Sequence, residues 1–301
     1  MMQKADLVAL TRAAQRLETI NLATHLSHLV GMPIEKAMAA FPGHWSTIIA
    51  RVTKSALTKA LDGALLTLPM KSRKPSNRVH KFFVGLSGAV GGSFGIMALA
   101  LELPISATIM LRSIAEIARA EGEDISQLET KLECLTVFAL SGGSATAESA
   151  DTSYYAARSF LAKAISDTTN HVMVHGFSKE GAPALVRLIN LVATRFSIPV
   201  SEKLVVQAMP ALGALGGATV NLIFINHYQQ MAQAHFTVRR LERLYGKELI
   251  RERYLAIVKA NADSKSKVWN TLHWQAGSEP TANVKNLKRK GLKIVANQRL
   301  N

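Results

Sequence analysis

The chain has 301 residues, one cysteine, a net charge of +15, and 48 % hydrophobic against only 19 % charged residues. A single cysteine, Cys134, excludes a disulfide framework and a thiolate zinc site. Aromatic residues at 6 % and a remainder rich in Ala, Leu and Gly argue against a β-sandwich, so the expected fold class is all-α, a multi-helix bundle.

The N-terminal stretch MMQKADLVALTRAAQRLE interrupts its apolar residues with charges and has no continuous apolar centre, so it does not read as a secretory leader. Together with the lone cysteine this points to the cytoplasm. Leu7, Leu10, Ala14 and Leu17 recur at helical spacing over 5–20, and the same period returns over 46–67. Gly31, Pro33 and the Phe41-Pro42-Gly43 step punctuate the chain between them. Residues 1–70 therefore read as a helical preamble, followed by a basic linker from Lys71 to Arg78.

Residues 82–101, FFVGLSGAVGGSFGIMALAL, carry no charge between Lys81 and Glu102. Their length matches the roughly 20 residues of a bilayer-spanning helix. The glycines among them, including Gly88 and Gly92, would each weaken an isolated helix by about 1 kcal/mol relative to alanine. Close backbone contact with a second helix is the expected compensation.

Pro104 is expected in the first turn of the next helix, whose buried side carries Ile109, Ile114, Ile117 and Ala118. Gly122 stops it. Ser126 with Glu129 reads as a capping box for another helix, with Leu128, Leu132, Leu135 and Ala139 as its stripe. SGGSATAESADTS, 141–153, reads as a loop; helices are expected over Tyr154–Met173 and Pro183–Phe196.

Between Lys203 and Arg239 no residue is formally charged if histidine is neutral. Pro210 is placed to break this run, and its second half is expected to merge into a charged helix through Tyr254. GALGG at 213–217 echoes GAVGG at 88–92, each with a small-xxx-small spacing (Gly88 to Gly92, Gly213 to Gly217). The two segments are expected to pack together at the centre of the bundle. Beyond residue 256 the chain turns basic: Asp263 to Asn301 holds eight Lys/Arg against two Asp/Glu. The domain reading is thus a preamble over 1–70, a main helical domain over 79–256, and a flexible basic tail over 257–301.

Several residue groups are candidates for chemistry. Ser93 sits in Gly91-Gly92-Ser93-Phe94-Gly95, which matches the G-x-S-x-G nucleophile elbow. That elbow needs a strand-to-helix turn, and these flanks read as helical, so helix packing accounts for the glycines. Asp167, His171 and His175 fall at i, i+4 and i+8, one face of a helix, and would present oxygen and nitrogen ligands to a metal, with Glu148 or Asp151 as a fourth. His25 and His28 form a weaker pair. Asn221, Asn226, His227, Gln229, Gln230, Gln233 and His235 make a polar face that either lines a ligand cavity or bonds across a helix interface. Arg158 and the run Arg239, Arg240, Arg243 either meet phosphate headgroups or pair with Glu242 and Glu248 at helical spacing. Neither GxxxxGK[ST] nor GxGxxG occurs, so no nucleotide or other cofactor is expected.

The stretches ELPISATIMLRSIAEIARAEGEDI (102–125), LECLTVFALSGG (132–143), YYAARSFLAKAI (154–165) and RFSIPVSEKLVVQAMPALGALGGATVNLIFINHYQQMAQAHFTVRRLERLYG (195–246) resemble the EcsC protein family. The resemblance implies a bacterial protein in the cytoplasm or at the membrane, and it carries over no catalytic residue.

The net charge points to a polyanion. The leading expectation is a membrane-associated, non-catalytic accessory protein, peripheral at the inner membrane, whose partners are anionic lipid and a membrane protein. Gly88, Gly92, Gly213, Gly217, Asn221, Asn226, His227 and Arg158 are its candidate lipid or ligand contacts. The alternatives are a soluble binder of lipid or another apolar ligand, and a hydrolase working through Ser93 or through a metal on His171 and His175. Nucleic acid is disfavoured, because no recognition motif accompanies the charge.

Overall fold

A computed structural model describes residues 2–19, 22–39, 45–67, 96–140, 153–176, 182–208 and 213–277. Among these residues there are ten helices and no strand, which makes the protein an all-α multi-helix bundle. Gly88, Gly92, Ser93, Glu148, Asp151 and Pro210 lie outside the described residues.

Helix α1 (Lys4–Thr19) buries Leu10, Ala14 and Leu17 as its spacing predicts, whereas Leu7 is exposed. Two short helices, α2 (Leu22–Val30) and α3 (Ile34–Ala39), occupy the stretch that reads as mere punctuation in the sequence. Gly31 makes the turn between them at φ +72°, and the Ser27 hydroxyl accepts the Ile34 N–H at 3.0 Å. Helix α4 (Trp45–Thr67) packs against α5 (Ile96–Ala120) and against α8 (Ala182–Gln207).

Helix α5 begins at Ile96, so Pro104 lies inside it and not in its first turn. The local proline penalty is overridden by burial: Leu103, Ala107, Met110, Leu111 and Ile114 are all inaccessible. The Gly122 stop is present, at φ +85°, where a side chain would be strained. Glu123 N–H donates to the Ala118 carbonyl and Gly122 N–H to that of Arg119, a Schellman closure. The next helix, α6 (Leu128–Leu140), starts two residues later than the capping-box reading places it. Asp124 makes this start, accepting from the Ser126 N–H at 2.9 Å and the Ser126 hydroxyl at 2.7 Å. From Leu132 to Leu140 every residue is buried, so α6 is an internal rod and not a striped surface helix.

Helix α7 (Ser153–His175) ends at Gly176, φ +65°. Helix α8 does not stop at Phe196 as expected; it runs through Pro199 to Gln207. Val200, Leu204, Val205 and Val206 are buried there, which outweighs the one lost backbone bond. The last two helices are α9 (Gly213–Tyr245) and α10 (Lys247–Gly277). They do not merge, because Gly246 at φ +92° separates them.

Helix α9 is the axis of the bundle, touching α1, α2, α5, α6 and α8. Its glycine-rich start contains the buried Gly217, and Gly213 opens its first turn. The expected partner segment, 82–95, falls outside the described residues. An aromatic centre joins α6, α8 and α9: Phe138 and Phe196 lie 4.6 Å apart by ring centroids, and Phe224 and Tyr228 5.2 Å.

The chain divides into two units, Met1–Leu255 and Ala256–Asn301. The first takes in the N-terminal helices that read as a preamble. The second is helical as far as Gly277, the part of the expected tail that the described residues reach.

Candidate functional site

Asp167, His171 and His175 share one face of α7, as their spacing predicts, and all three line one groove. Its opposite wall is α8, with Arg187, Leu188 and Leu191, and its volume is about 670 Å³. The His171 and His175 rings stack with centroids 4.6 Å apart, and His175 Nδ1 lies 3.2 Å from the His171 carbonyl. That stacking points the rings along each other instead of converging them on one ion. Among the described residues no group of three or more His, Cys, Asp or Glu has the geometry to hold a metal. A second hollow, of about 390 Å³, lies at the α2–α3 turn and includes His28 and Glu35.

The candidate arginines have partners on other helices and not at helical spacing. Arg158 of α7 donates to both carboxylate oxygens of Glu242 on α9, each at 2.6 Å, and Tyr155 adds a third bond at 3.3 Å. Its fork faces Glu242 and not the surface, which takes Arg158 out of the headgroup-contact set. Arg239 bridges Glu123 at 2.8 Å and Glu133 at 2.6 Å; Arg240 bridges Glu121 and Asp6. Arg243 meets Glu123 and the Glu121 carbonyl. These pairs tie the last turns of α9 to α1, α6, α7 and the α5–α6 corner.

At the heart of this network lies a chain of three buried groups from three helices. The Tyr154 hydroxyl of α7 hydrogen-bonds His235 Nδ1 on α9 at 2.9 Å, and the ring's other nitrogen, Nε2, faces α6. That nitrogen is 3.4 Å from Glu133 Oε2 on α6, an ion-pair distance longer than a well-formed hydrogen bond. Burial pushes the His235 pKa down against the pull of Glu133. Burial also raises the Tyr154 phenol. The order carboxylate, imidazole, phenol is that of a proton relay, but Tyr154, His235 and Glu133 are all buried, so here the trio fastens helices. Cys134 is buried beside it with its thiol pushed up by burial, which removes it as a nucleophile.

The polar face of α9 divides. Asn221 and Gln229 are buried, Asn226 is half-buried, and Gln229 donates to the Ser113 hydroxyl on α5 at 2.8 Å. Gln233 accepts from Arg16 of α1 at 3.0 Å. Gln229 and Gln233 therefore bond across helix interfaces. His227 is different: it is 3 % exposed, and neither ring nitrogen has a hydrogen-bond partner among the described residues. Burial, reinforced by the charge of His25, lowers its pKa to about 3, so it stays neutral. Replacing it removes an unsatisfied polar ring, so His227→Leu is expected to leave stability unchanged or raise it by about 1–3 kcal/mol in a urea titration. A loss of stability would mean that the ring has a partner.

Sequence reasoning missed one pair. Lys203 of α8 donates to Glu102 of α5 at 2.6 Å; their side chains are 0 % and 5 % exposed, and the ammonium lies 5.1 Å from the Phe224 ring centroid. Each stands at the border of an apolar run, and that shared position was the available signal. Next to Lys203, Glu202 has its pKa raised to about 7 by burial and by the charge of Glu35.

Nothing among curated proteins and nothing among solved structures matches the chain. Comparison with protein families matches residues 13–241 to the EcsC protein family. The match begins inside the stretch that reads as a preamble, in keeping with the packing of α1 and α4 on α9, α5 and α8. Covering more than half the chain, it establishes that the protein belongs to the EcsC family.

Proposed function

We propose that this protein is a peripheral, non-catalytic accessory factor of an anionic membrane surface. The observation that carries this reading is where its charge is compensated. The ion pairs of Arg158, Lys203, Arg239, Arg240 and Arg243 set five cations against six carboxylates, so they take up none of the net charge of +15. The internal network thus neutralises itself and leaves the whole excess to meet an outside polyanion. Each well-placed Lys or Arg adds about 1 kcal/mol at such a surface. One helix segment, Pro183–Gln207, is long and apolar enough to cross a membrane, with 44 % of its apolar window buried. The cytoplasmic face of a bacterial inner membrane, with a membrane protein as partner, fits these properties.

Flotation tests it. At low salt the protein is expected to float with phosphatidylcholine vesicles containing phosphatidylserine and not with phosphatidylcholine alone. Binding should fall steeply as the Debye length shrinks from about 10 Å at 0.1 M salt to about 3 Å at 1 M. Equal flotation on both vesicles, or none on either, rejects the reading.

The groove between α7 and α8 favours a second reading, a soluble binder of an apolar molecule, since its volume falls in the usual range for ligand pockets. Native mass spectrometry of the purified protein distinguishes the two by a retained ligand mass.

A further inference from the structure

Two unlike charges face each other in the α7–α8 groove and do not meet. Thr168 Oγ1 on α7 reaches the Ala184 carbonyl on α8 at 3.3 Å, which sets these two residues side by side. The helices run antiparallel, so Arg187, one turn past Ala184, stands within about 3 Å of the height of Asp167 along the axis. Both side chains are exposed, and they line the groove from opposite walls. Among the described residues neither belongs to an ion pair, and Arg187 Nε donates to the Pro183 carbonyl of its own helix at 3.4 Å. Elsewhere in the protein such charges close on each other: Arg158 on Glu242, Lys203 on Glu102 and Arg239 on Glu133 all pair between helices at 2.6 Å.

The space that keeps Asp167 and Arg187 apart has a volume of about 670 Å³, within the roughly 300–1,000 Å³ of pockets that enclose organic ligands. It is not uniformly polar. Leu188 and Leu191 follow Arg187 on α8 and line the same groove, so apolar surface continues from its cationic side. His171 and His175, stacked on each other, supply neither charge. The complement of this lining is a molecule with a cation for Asp167, an anion for Arg187 and an apolar portion for the leucines. A lone ion would leave one wall unmatched, and a plain hydrocarbon would desolvate both charges without compensation.

We infer that the groove binds an amphiphile whose headgroup joins a primary ammonium to a phosphate, as in phosphatidylethanolamine, with Asp167 accepting from the ammonium and Arg187 holding the phosphate. The guanidinium fork matches two phosphate oxygens, and the carboxylate selects for N–H donors, which a quaternary ammonium lacks. The two-carbon spacer between the headgroup charges suits walls that do not touch. This rests on the reading of the groove as a ligand pocket and names what the pocket takes.

Calorimetric titration of the full chain with dihexanoyl-phosphatidylethanolamine and with dihexanoyl-phosphatidylcholine, both kept monomeric, tests it. The two lipids share a phosphate and zero net charge, so attraction to the basic surface does not separate them. The ethanolamine lipid is expected to bind at least about tenfold more tightly. Asp167→Ala should remove that preference, whereas Arg187→Gln should weaken both lipids at least about fivefold and keep their ratio. Both substitutions exchange exposed side chains, so the thermal melts should coincide with that of the unmodified protein. Free phosphoethanolamine distinguishes the source: binding as tight as the lipid's makes the ligand a soluble metabolite, weaker binding makes it a lipid, and the headgroup chemistry holds in both cases. Equal affinity for the two lipids, or a preference that survives Asp167→Ala, overturns the inference while the groove remains a pocket. If neither lipid binds but native mass spectrometry retains another ligand, the inference alone is overturned; if no mass is retained either, the pocket reading falls with it.

Discussion

Glu102→Ala is expected to lower the unfolding free energy by about 3–5 kcal/mol, read from urea denaturation. The effect is large because the substitution leaves the Lys203 ammonium wholly enclosed and without its counter-charge. The Phe224 ring beneath it offers only a weak cation–π contact in place of a carboxylate. The loss does not measure the net worth of the pair, since both ions were desolvated to form it. Glu102→Leu combined with Lys203→Met is accordingly expected to recover most of the loss or exceed the original stability, because two apolar side chains of similar volume fill the site without a desolvation cost. A single variant that loses less than about 1 kcal/mol would show that water reaches the pair.

The same pair marks where local sequence patterns stop being informative. Periodicity identified α1 and α4 because each is amphipathic over its own length, and Leu10, Ala14 and Leu17 went where their spacing put them. Glu102 and Lys203 read as ends of apolar runs, since a local window cannot see a partner 101 residues away. Prolines mislead in the same way: the rings of Pro104 and Pro199 each cost one backbone bond, which is decisive for an isolated helix and minor beside a buried helix face. The face shared by Asp167, His171 and His175 was legible; the groove was not, because its other wall comes from α8. The arginine run near the end of α9 showed its charge but not its partners, which come from Glu121, Glu123 and Glu133 on other parts of the fold.

Glu133 supplies the second large effect, one that depends on pH. Burial alone would raise its pKa, but the contact with His235 and the charges of His235, Arg239 and Arg158 outweigh burial and bring it from 4.5 down to about 2. Near neutral pH burial keeps His235 uncharged, so the Arg239 guanidinium, 2.6 Å away, is the charge that matters there. A carboxyl whose folded pKa is depressed stabilises the fold above its unfolded value and loses that contribution as pH falls towards the folded one. The contribution is therefore complete above about pH 4.5, declines below it, and is gone near pH 2. Its size is at most about 3 kcal/mol, since each tenfold change in a proton-binding constant is worth roughly 1.4 kcal/mol and the share owed to a charged His235 is absent near neutral pH. Glu133→Gln keeps the shape and removes the ionisation, while Arg239 retains Glu123 at 2.8 Å and is not left unpaired. The variant should fall below the original protein by up to about 3 kcal/mol at pH 7, and the two urea curves should converge as the pH approaches 2. A constant offset at every pH would mean that Glu133 contributes through packing and not through its charge.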